Sequence, residues 1–215
     1  MEKTEAIMLN SVKYGDNRLI LNVYTRECGR MTLSVAIPRT RNRASALPYC
    51  QPLFQNEIEY TARGNIRRAA RITPSFTYRT IPFDTAKMSV AMFLSEILTK
   101  TLTFAEKNDD LYNFIATSLQ ILDDTQYKGV NFHIKFLLQL TKYMGFDIGA
   151  KHLVMPPYTL TLNQILESDF IECEQLGLSG EIRSQLLQKT LDYYRQHFET
   201  LNDIKSLEVL QKIFH

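Results

Sequence analysis

Arginine residues at every second position make the segment 39–43, RTRNR, the part of the chain with the clearest chemical signal. No carboxylate lies near it in sequence, since Glu27 and Glu57 are the flanking acidic residues. Unpaired guanidinium groups are too costly to bury, so these side chains must face water or a polyanion. Because a guanidinium binds phosphate through paired hydrogen bonds and also stacks on flat rings, the pattern favours contact with nucleic acid.

Further arginines accompany this segment in the first 80 residues. The predicted DNA-binding set comprises Arg18, Arg26, Arg30, Arg39, Arg41, Arg43, Arg67, Arg68 and Arg71. Aromatic residues are interleaved with them, and single-strand binding uses cations along the phosphates together with rings on which bases stack. Tyr14 and Tyr49, beside predicted turns, are expected to be exposed, whereas Phe54 and Phe76 are expected to fill a core.

The charge of the chain is unevenly distributed. Residues 1–80 contain 13 Lys and Arg against 6 Asp and Glu, and residues 81–215 contain 12 against 17, giving net charges of +7 and −5. A basic amino-terminal part on an acidic body indicates that one end meets a polyanion, although an uneven solvated surface explains the same numbers. With no secretory or membrane-spanning pattern and three scattered cysteines, the chain is expected to be a cytoplasmic protein with reduced thiols.

The first 80 residues show the pattern of a small barrel. In RMTLSVAI, Met31, Leu33 and Val35 alternate with small or polar residues, as in a half-buried strand. Four further strand-like runs with short connections complete a set of five. We therefore predict an α+β protein whose residues 1–80 form an N-terminal five-stranded OB-fold β-barrel.

Helical spacing begins after Pro82, and residues 81–215 are predicted to form an all-α helical domain. Asp84 or Thr85 can cap the first helix, in which Met88 and Met92 are expected to lie on a mostly buried surface. The third helix is expected to end near Gly145, which suits a C-cap.

Sequence motifs for catalysis or cofactor binding do not occur. The chain has no phosphate-binding glycine loop, no His or Cys spacing typical of zinc ligands and no nucleophile elbow. The adjacent Asp123 and Asp124 follow a predicted helix, where solvated charges are the usual case. We therefore expect no enzyme activity, no metal and no cofactor, although a site assembled only in the fold stays an open alternative.

Several segments resemble the bacterial recombination mediator family RecO. The amino terminus of that family is similar to residues 6–30, in which the short motifs AI, YG, RL, TRE and GR occur in this order. As in the family, an arginine-rich loop and the residues QPL follow. FLLQLTKYMGF (136–146) and YYRQHFETLNDIKSLEVLQKIF (193–214) resemble its middle and closing helices. The resemblance implies an OB-fold, a helical domain, and binding of single- and double-stranded DNA.

The resemblance also implies a function and partners. Members of the family anneal complementary strands and act with RecR to replace the single-stranded-DNA-binding protein SSB by RecA. Many members carry a four-cysteine zinc site, but the corresponding region 146–180 here contains only Cys173. We expect packing to replace the zinc, by a set of apolar residues consisting of Phe146, Leu153, Leu162, Ile165 and Phe170.

The family also binds the acidic tail of SSB on the helical domain, which requires an apolar pocket rimmed by cations. Lys135 and Lys142, seven residues apart on one predicted helix, and Lys205 are candidates for that rim. Two other interpretations are kept open: an OB-fold that binds RNA, and an adaptor whose basic part docks an acidic protein.

Overall fold

A closed barrel of five strands forms the amino-terminal part of the computed structural model, which describes residues 1–37, 46–61, 66–148 and 156–214. The strand order around the barrel is β1-β2-β3-β5-β4. This arrangement confirms the predicted OB-type barrel. The strands are β1 (Glu2–Tyr14), β2 (Arg18–Thr25), β3 (Gly29–Ala36), β4 (Gln55–Tyr60) and β5 (Arg67–Pro74).

Strand pairing is antiparallel except between β3 and β5, which run parallel. The alternation seen in the sequence of β3 determines its orientation, because Met31, Leu33 and Val35 all belong to the buried core of the barrel. Leu21 and Val23 of β2 join the same core. The intervening residues of both strands therefore face outward.

Seven α-helices occur among the described residues. They are α1 (Thr85–Thr101), α2 (Asp109–Leu122), α3 (Phe132–Tyr143), α4 (Thr159–Glu167), α5 (Phe170–Gln175), α6 (Gly180–His197) and α7 (Ser206–Phe214). Short 3₁₀ helices span Leu47–Cys50 and Glu199–Asn202. The helical carboxy-terminal part agrees with the predicted fold class.

Local signals in the sequence mark two helix ends correctly. Asp84 caps α1, since its Oδ1 accepts hydrogen bonds from the amides of Ala86 (2.8 Å) and Lys87 (3.1 Å). Gly145 follows α3 with a φ of +82°, a conformation in which glycine is favoured. The amide of Phe146 then reaches back to Thr141 O at 3.2 Å and closes the helix end.

The expected burial of α1 is wrong on one side. Met88 is 42% exposed and Met92 is 51% exposed. The two residues lie four positions apart on the same helix face, and that face meets solvent. Apolar residue type therefore did not predict which side of this helix is covered.

The chain divides into two compact units that are not contiguous in sequence. The first comprises Met1–Tyr78 and Ser95–Tyr112, and the second comprises Arg79–Leu94 and Asn113–His215. The first unit thus contains the barrel together with the end of α1, the following loop and the first turn of α2. The second unit contains the remaining helices.

Candidate nucleic-acid interface

The outer surface of the barrel carries rows of side chains that follow from the strand register. Val12 of β1 pairs with Ile20 of β2, and Ile20 pairs with Ser34 of β3. Ser34 in turn pairs with Arg68 across the parallel β3–β5 contact. Because the neighbours of Ile20 and Ser34 along each strand lie in the core, this row lies on the outer side of four adjacent strands, and within it Ser34 is covered.

A second row lies closer to the β1–β2 turn, where Tyr14 pairs with Arg18. Tyr14 is 67% exposed and Val12 is 56% exposed, while Arg18 and Arg68 are also exposed. No described residue forms an ion pair with either arginine. We call Val12, Tyr14, Arg18, Ile20 and Arg68 the open strand surface.

The opposite end of the same strands is covered by the segment that follows α1. The hydroxyl of Tyr24 donates to Glu106 O at 3.2 Å, and the amide of Arg30 donates to Ala105 O at 2.8 Å. Gly29 makes this close approach feasible, since a Cβ atom there would lie 2.4 Å from Ala105 O. Burial lowers the pKa of Arg30, whose Nη1 finds no hydrogen-bond partner among the described residues.

A polar ladder separates the covered end from the open strand surface. Asn22 Nδ2 donates to Asn10 Oδ1 at 2.7 Å, and Thr32 Oγ1 donates to Asn22 Oδ1 at 3.0 Å. These bonds join β1, β2 and β3 on their outer side and stabilise the register on which the rows depend. Sequence analysis did not single out these residues, although their place at outward positions of alternating strands was available as a signal.

Two further arginines of the predicted set are held by neighbouring groups. Arg26 Nε lies 2.5 Å from Glu5 Oε2, and its guanidinium carbon lies 4.6 Å from the centre of the Tyr112 ring. The guanidinium of Arg67 lies 5.4 Å from the ring centre of Tyr60. Cation–π contacts of this kind stabilise the folded chain and occupy one face of the guanidinium.

The remaining predicted arginines have different surroundings. Arg71 is exposed on β5 and pairs in register with Glu59 of β4. On the same side of the barrel, Lys3 forms an ion pair with Glu57 at 2.7 Å. This side therefore has mixed charge. The segment with Arg39, Arg41 and Arg43 lies outside the described residues.

The aromatic residues of the barrel follow the prediction only in part. Tyr14 is exposed, as expected. Phe54 is half-buried against the core, and Phe76 is half-buried and contacts the buried Tyr78 at a ring-centre distance of 5.3 Å, so neither fills the core as expected. Tyr49, which was expected to be exposed, packs partly against the core instead. The 3₁₀ helix that contains it directs the ring inward.

The three lysines considered for the SSB tail do not share one environment. Lys142 and Lys205 are exposed, but Lys135 is fully buried. The ammonium group of Lys135 donates to Ile165 O at 2.7 Å and to Leu166 O at 3.2 Å. Burial lowers its pKa, and its charge is not presented to solvent. The seven-residue spacing is helical, but it did not reveal that α4 covers Lys135.

The adjacent Asp123 and Asp124 also differ from each other. Asp124 is exposed, as expected. Asp123 is buried, and its carboxylate accepts hydrogen bonds from three successive amides, those of Arg79 (2.7 Å), Thr80 (2.8 Å) and Ile81 (2.9 Å). Asp123 therefore anchors the segment before α1, a role that sequence reasoning missed because the partners lie more than 40 residues away.

The region that carries a zinc site in many RecO proteins has a different composition here. Cys173 is fully buried, and burial raises the pKa of its thiol to about 11. Within the described ranges, no three His, Cys, Asp or Glu side chains come close enough to hold a metal ion. These residues do not fit a four-thiolate site. Leu162, Ile165 and Phe170 are buried as expected, Phe146 is partly exposed, and Leu153 lies outside the described residues.

The closed five-stranded barrel places the chain in the OB-fold class, in which exposed cationic and aromatic strand surfaces are typical of members that bind nucleic acid. Among the described helices, none has the length and apolar character needed to cross a bilayer.

Comparison with known proteins gives the particular family. The chain matches Recombination protein O N terminal over residues 1–81 and Recombination protein O C terminal over residues 82–154. It is 30% identical to DNA repair protein RecO of Christiangramia forsetii, with 98% of each chain covered. It is 29% identical to DNA repair protein RecO of Phocaeicola vulgatus, with 100% of this chain and 99% of the relative covered. The chain belongs to the RecO family, and its role lies in DNA repair and recombination.

Proposed function

We propose that the chain is a DNA-binding recombination mediator that binds single strands on the open strand surface and anneals complementary strands. With RecR as partner, it would help to load RecA onto DNA covered by SSB. The observation that supports the DNA-binding step is the exposed ring of Tyr14 paired in register with Arg18, with Arg68 at the far edge of the next row. A DNA substrate also places its site of action in the cytoplasm, at the nucleoid.

The geometry suits a strand that must keep its bases available for pairing. Two interstrand spacings, about 10 Å, separate Arg18 on β2 from Arg68 on β5, and the apolar side chains of Val12 and Ile20 lie beside Arg18. Arginines that contact phosphates release counterions and lower the repulsion between two strands. Contacts to the backbone and one stacking ring leave the base edges free for a complementary strand.

Four other predicted arginines are expected to add DNA contacts to those of Arg18 and Arg68. Arg39, Arg41 and Arg43 follow β3 directly in sequence, and Arg71 lies on the same strand as Arg68. We expect Arg26, Arg30 and Arg67 to contribute less. The guanidinium groups of Arg26 and Arg67 already contact Glu5 and the Tyr60 ring, and that of Arg30 is partly buried.

For the SSB tail, the proposal keeps Lys142 and Lys205 as rim cations and drops Lys135, which is buried. A fluorescein-labelled acidic peptide ending in Phe tests this part. We expect Lys142→Glu to weaken its binding and Lys212→Glu, at an exposed lysine of α7, to leave it unchanged. Equal affinity of wild type and Lys142→Glu would contradict the assignment.

The DNA-binding step is tested by the salt dependence of oligo(dT) binding, measured by fluorescence anisotropy. For single strands the slope of log K against log salt is about 0.7 per phosphate contact, so Arg18→Gln/Arg68→Gln should lower it by about 1.4. Tyr14→Ala should weaken binding at least about fivefold and leave the slope unchanged, because stacking releases no counterions. Lys3→Gln, which removes a cation on the mixed-charge side, is the matched control.

An unchanged slope in the double variant would exclude the open strand surface as the contact site. Annealing is tested separately with two complementary labelled oligonucleotides. Wild-type protein should accelerate pairing, and Arg18→Gln/Arg68→Gln should reduce that acceleration. Binding without acceleration would reject the annealing step and leave the DNA-binding step standing. Comparison with an RNA oligonucleotide of the same length tests the RNA alternative.

A further inference from the structure

The helical unit contains an open cavity of about 500 Å³ that none of the preceding roles uses. One helix face of α2 forms one side, with Thr117 and Ile121 four residues apart and Asp124 just beyond the helix end. Tyr127 and Ile171 form the other side. The volume lies within the range of roughly 300–1,000 Å³ typical of ligand pockets.

The wall formed by Tyr127 is fixed in position. Its hydroxyl donates to Phe170 O at 3.1 Å, and its ring meets that of Phe132 edge-on at 6.0 Å. Phe170 stacks on Phe132 at 4.8 Å, so the three rings form one packed cluster. Core packing therefore fixes the wall formed by Tyr127 without a ligand, whereas Thr117, Asp124 and Ile171 of the lining are exposed.

Ile171 is presented to the cavity by the same local structure. Asp169 and Glu172 form a reciprocal capping box that sets the start of α5. Phe170 and Cys173 point into the core on either side, which leaves Ile171 outward and 58% exposed. Together with the Tyr127 ring, the exposed Ile171 offers an apolar contact surface that an inserted side chain could bury.

The surroundings of the cavity are acidic. Asp169 and Glu172, both exposed, lie within two positions of the lining residue Ile171 in sequence. Asp124 lies in the lining itself. The nearest cation in sequence is Lys128, which follows Tyr127. The ammonium group of Lys87 is buried and binds Asp124 O at 2.6 Å, so it does not face the cavity opening. The rim therefore favours a positively charged ligand.

We propose that this cavity docks a basic segment of another protein, which inserts one apolar side chain against Ile171 and Tyr127 and places Lys or Arg near Asp124. Charge complementarity favours a basic partner, because the acidic rim repels DNA and acidic peptide tails. The site therefore differs from the DNA-binding and SSB-tail sites proposed above. The proposal does not depend on DNA binding by the barrel. A contact of this size should be weak, with Kd of about 10–100 μM.

Fluorescence anisotropy with two labelled peptides, GKKLFKKG and its charge-reversed counterpart GEELFEEG, tests the proposal on the full chain. The basic peptide should bind and the acidic peptide should not. Ile171→Ser should weaken binding of the basic peptide at least about tenfold. Asp124→Asn should weaken it about threefold, because it removes the charge while its side-chain oxygen still accepts from Gln126 N.

Val209→Ser is the matched control, since Val209 is 50% exposed on α7 and lies away from the cavity lining. It should bind the basic peptide as the wild type does. Equal binding of both peptides, or undiminished binding by Ile171→Ser, would overturn the proposal. Because the chain contains no tryptophan, Thr117→Trp adds a single tryptophan at the rim, which can be excited apart from the tyrosines. Its emission should shift when unlabelled basic peptide binds, and no shift at saturation would place the peptide elsewhere.

Discussion

Charged side chains have different roles in the two units of this molecule. In the barrel, Arg18 and Arg68 are exposed and have no ion-pair partner among the described residues. In the helical unit, Lys87 and Lys135 are buried and bind backbone carbonyls instead. A positively charged side chain is therefore exposed to solvent in the barrel and supports the fold from within in the helical unit.

The buried lysines act at helix ends. Lys135 binds the carbonyls of Ile165 and Leu166 in the last turn of α4, and Lys87 binds Asp124 O just after α2. Carbonyl groups at a helix end lack intrahelical partners, and the helix dipole makes that end favourable for a cation. A lysine can reach such a site because its long apolar stem packs in the core.

The largest effect is expected at Asp123, the buried acidic counterpart of these lysines. Asp123→Asn replaces one carboxylate oxygen by an NH₂ group that faces an amide donor of Arg79–Ile81. We expect the free energy of unfolding to fall by about 3 kcal/mol, measured by urea denaturation.

Asp124→Asn is the control for this change. Asp124 is exposed, and asparagine retains the acceptor for Gln126 N, so its effect should stay within about 0.5 kcal/mol. Equal losses in the two variants would contradict the distinction between exposed and buried charges.

A second, smaller loss of stability is expected for Lys135→Met. The methionine preserves most of the apolar stem but leaves two carbonyls of α4 without their donor, while the cost of burying the charge disappears. The net loss should be about 2 kcal/mol in urea denaturation. Lys142→Met, at an exposed position of the same helix, should change stability by less than about 0.5 kcal/mol. A Lys135→Met variant as stable as the wild type would show that the carbonyls find other partners.

These contrasts show what the sequence could and could not predict. Alternation identified the core face of β3 at Met31, Leu33 and Val35, and capping rules located Asp84. Strand alternation and helix capping are local properties, because the residues that show the sequence pattern are the same residues that form the strand or the cap. The closed barrel was predictable from five such runs and their short connections.

Contacts between residues that are distant in sequence explain the predictions that were wrong. Lys135 and Lys142 have equivalent helical spacing, but only Lys135 is covered by α4, which follows about 25 residues later. The sequence around Arg26 does not distinguish it from an exposed arginine, because its partner Glu5 lies 21 residues away. The sequence therefore predicted that arginines form the candidate interface. Only the folded structure showed which of these arginines are exposed and which are bonded to other residues.

Arg26 and Arg18 of the barrel differ in their partners, so their substitution should have different effects. Arg26→Gln removes a partly exposed ion pair with Glu5 and the contact with the Tyr112 ring, and we expect a loss of about 1 kcal/mol in urea denaturation. Arg18→Gln removes a charge with no such partners and should leave stability within about 0.5 kcal/mol. In oligo(dT) binding the order should be reversed, with the larger effect for Arg18→Gln. A larger effect of Arg26→Gln in both measurements would contradict the assignment of Arg18 as the DNA contact.

The smallest effect concerns Tyr24, a titratable group that the barrel buries in its neutral form. Burial raises its pKa from 10.0 to about 12, while its hydroxyl donates to Glu106 O. Between these values the unfolded chain loses the proton and the folded chain keeps it, so the stabilisation is complete below pH 10 and is lost as the pH approaches 12. Tyr24→Phe should cost about 0.5 kcal/mol at pH 7 and flatten the decline of unfolding free energy between pH 9.5 and 11.5. An equally steep decline in wild type and Tyr24→Phe would assign the alkaline sensitivity to the other buried tyrosines and remove Tyr24 from the comparison.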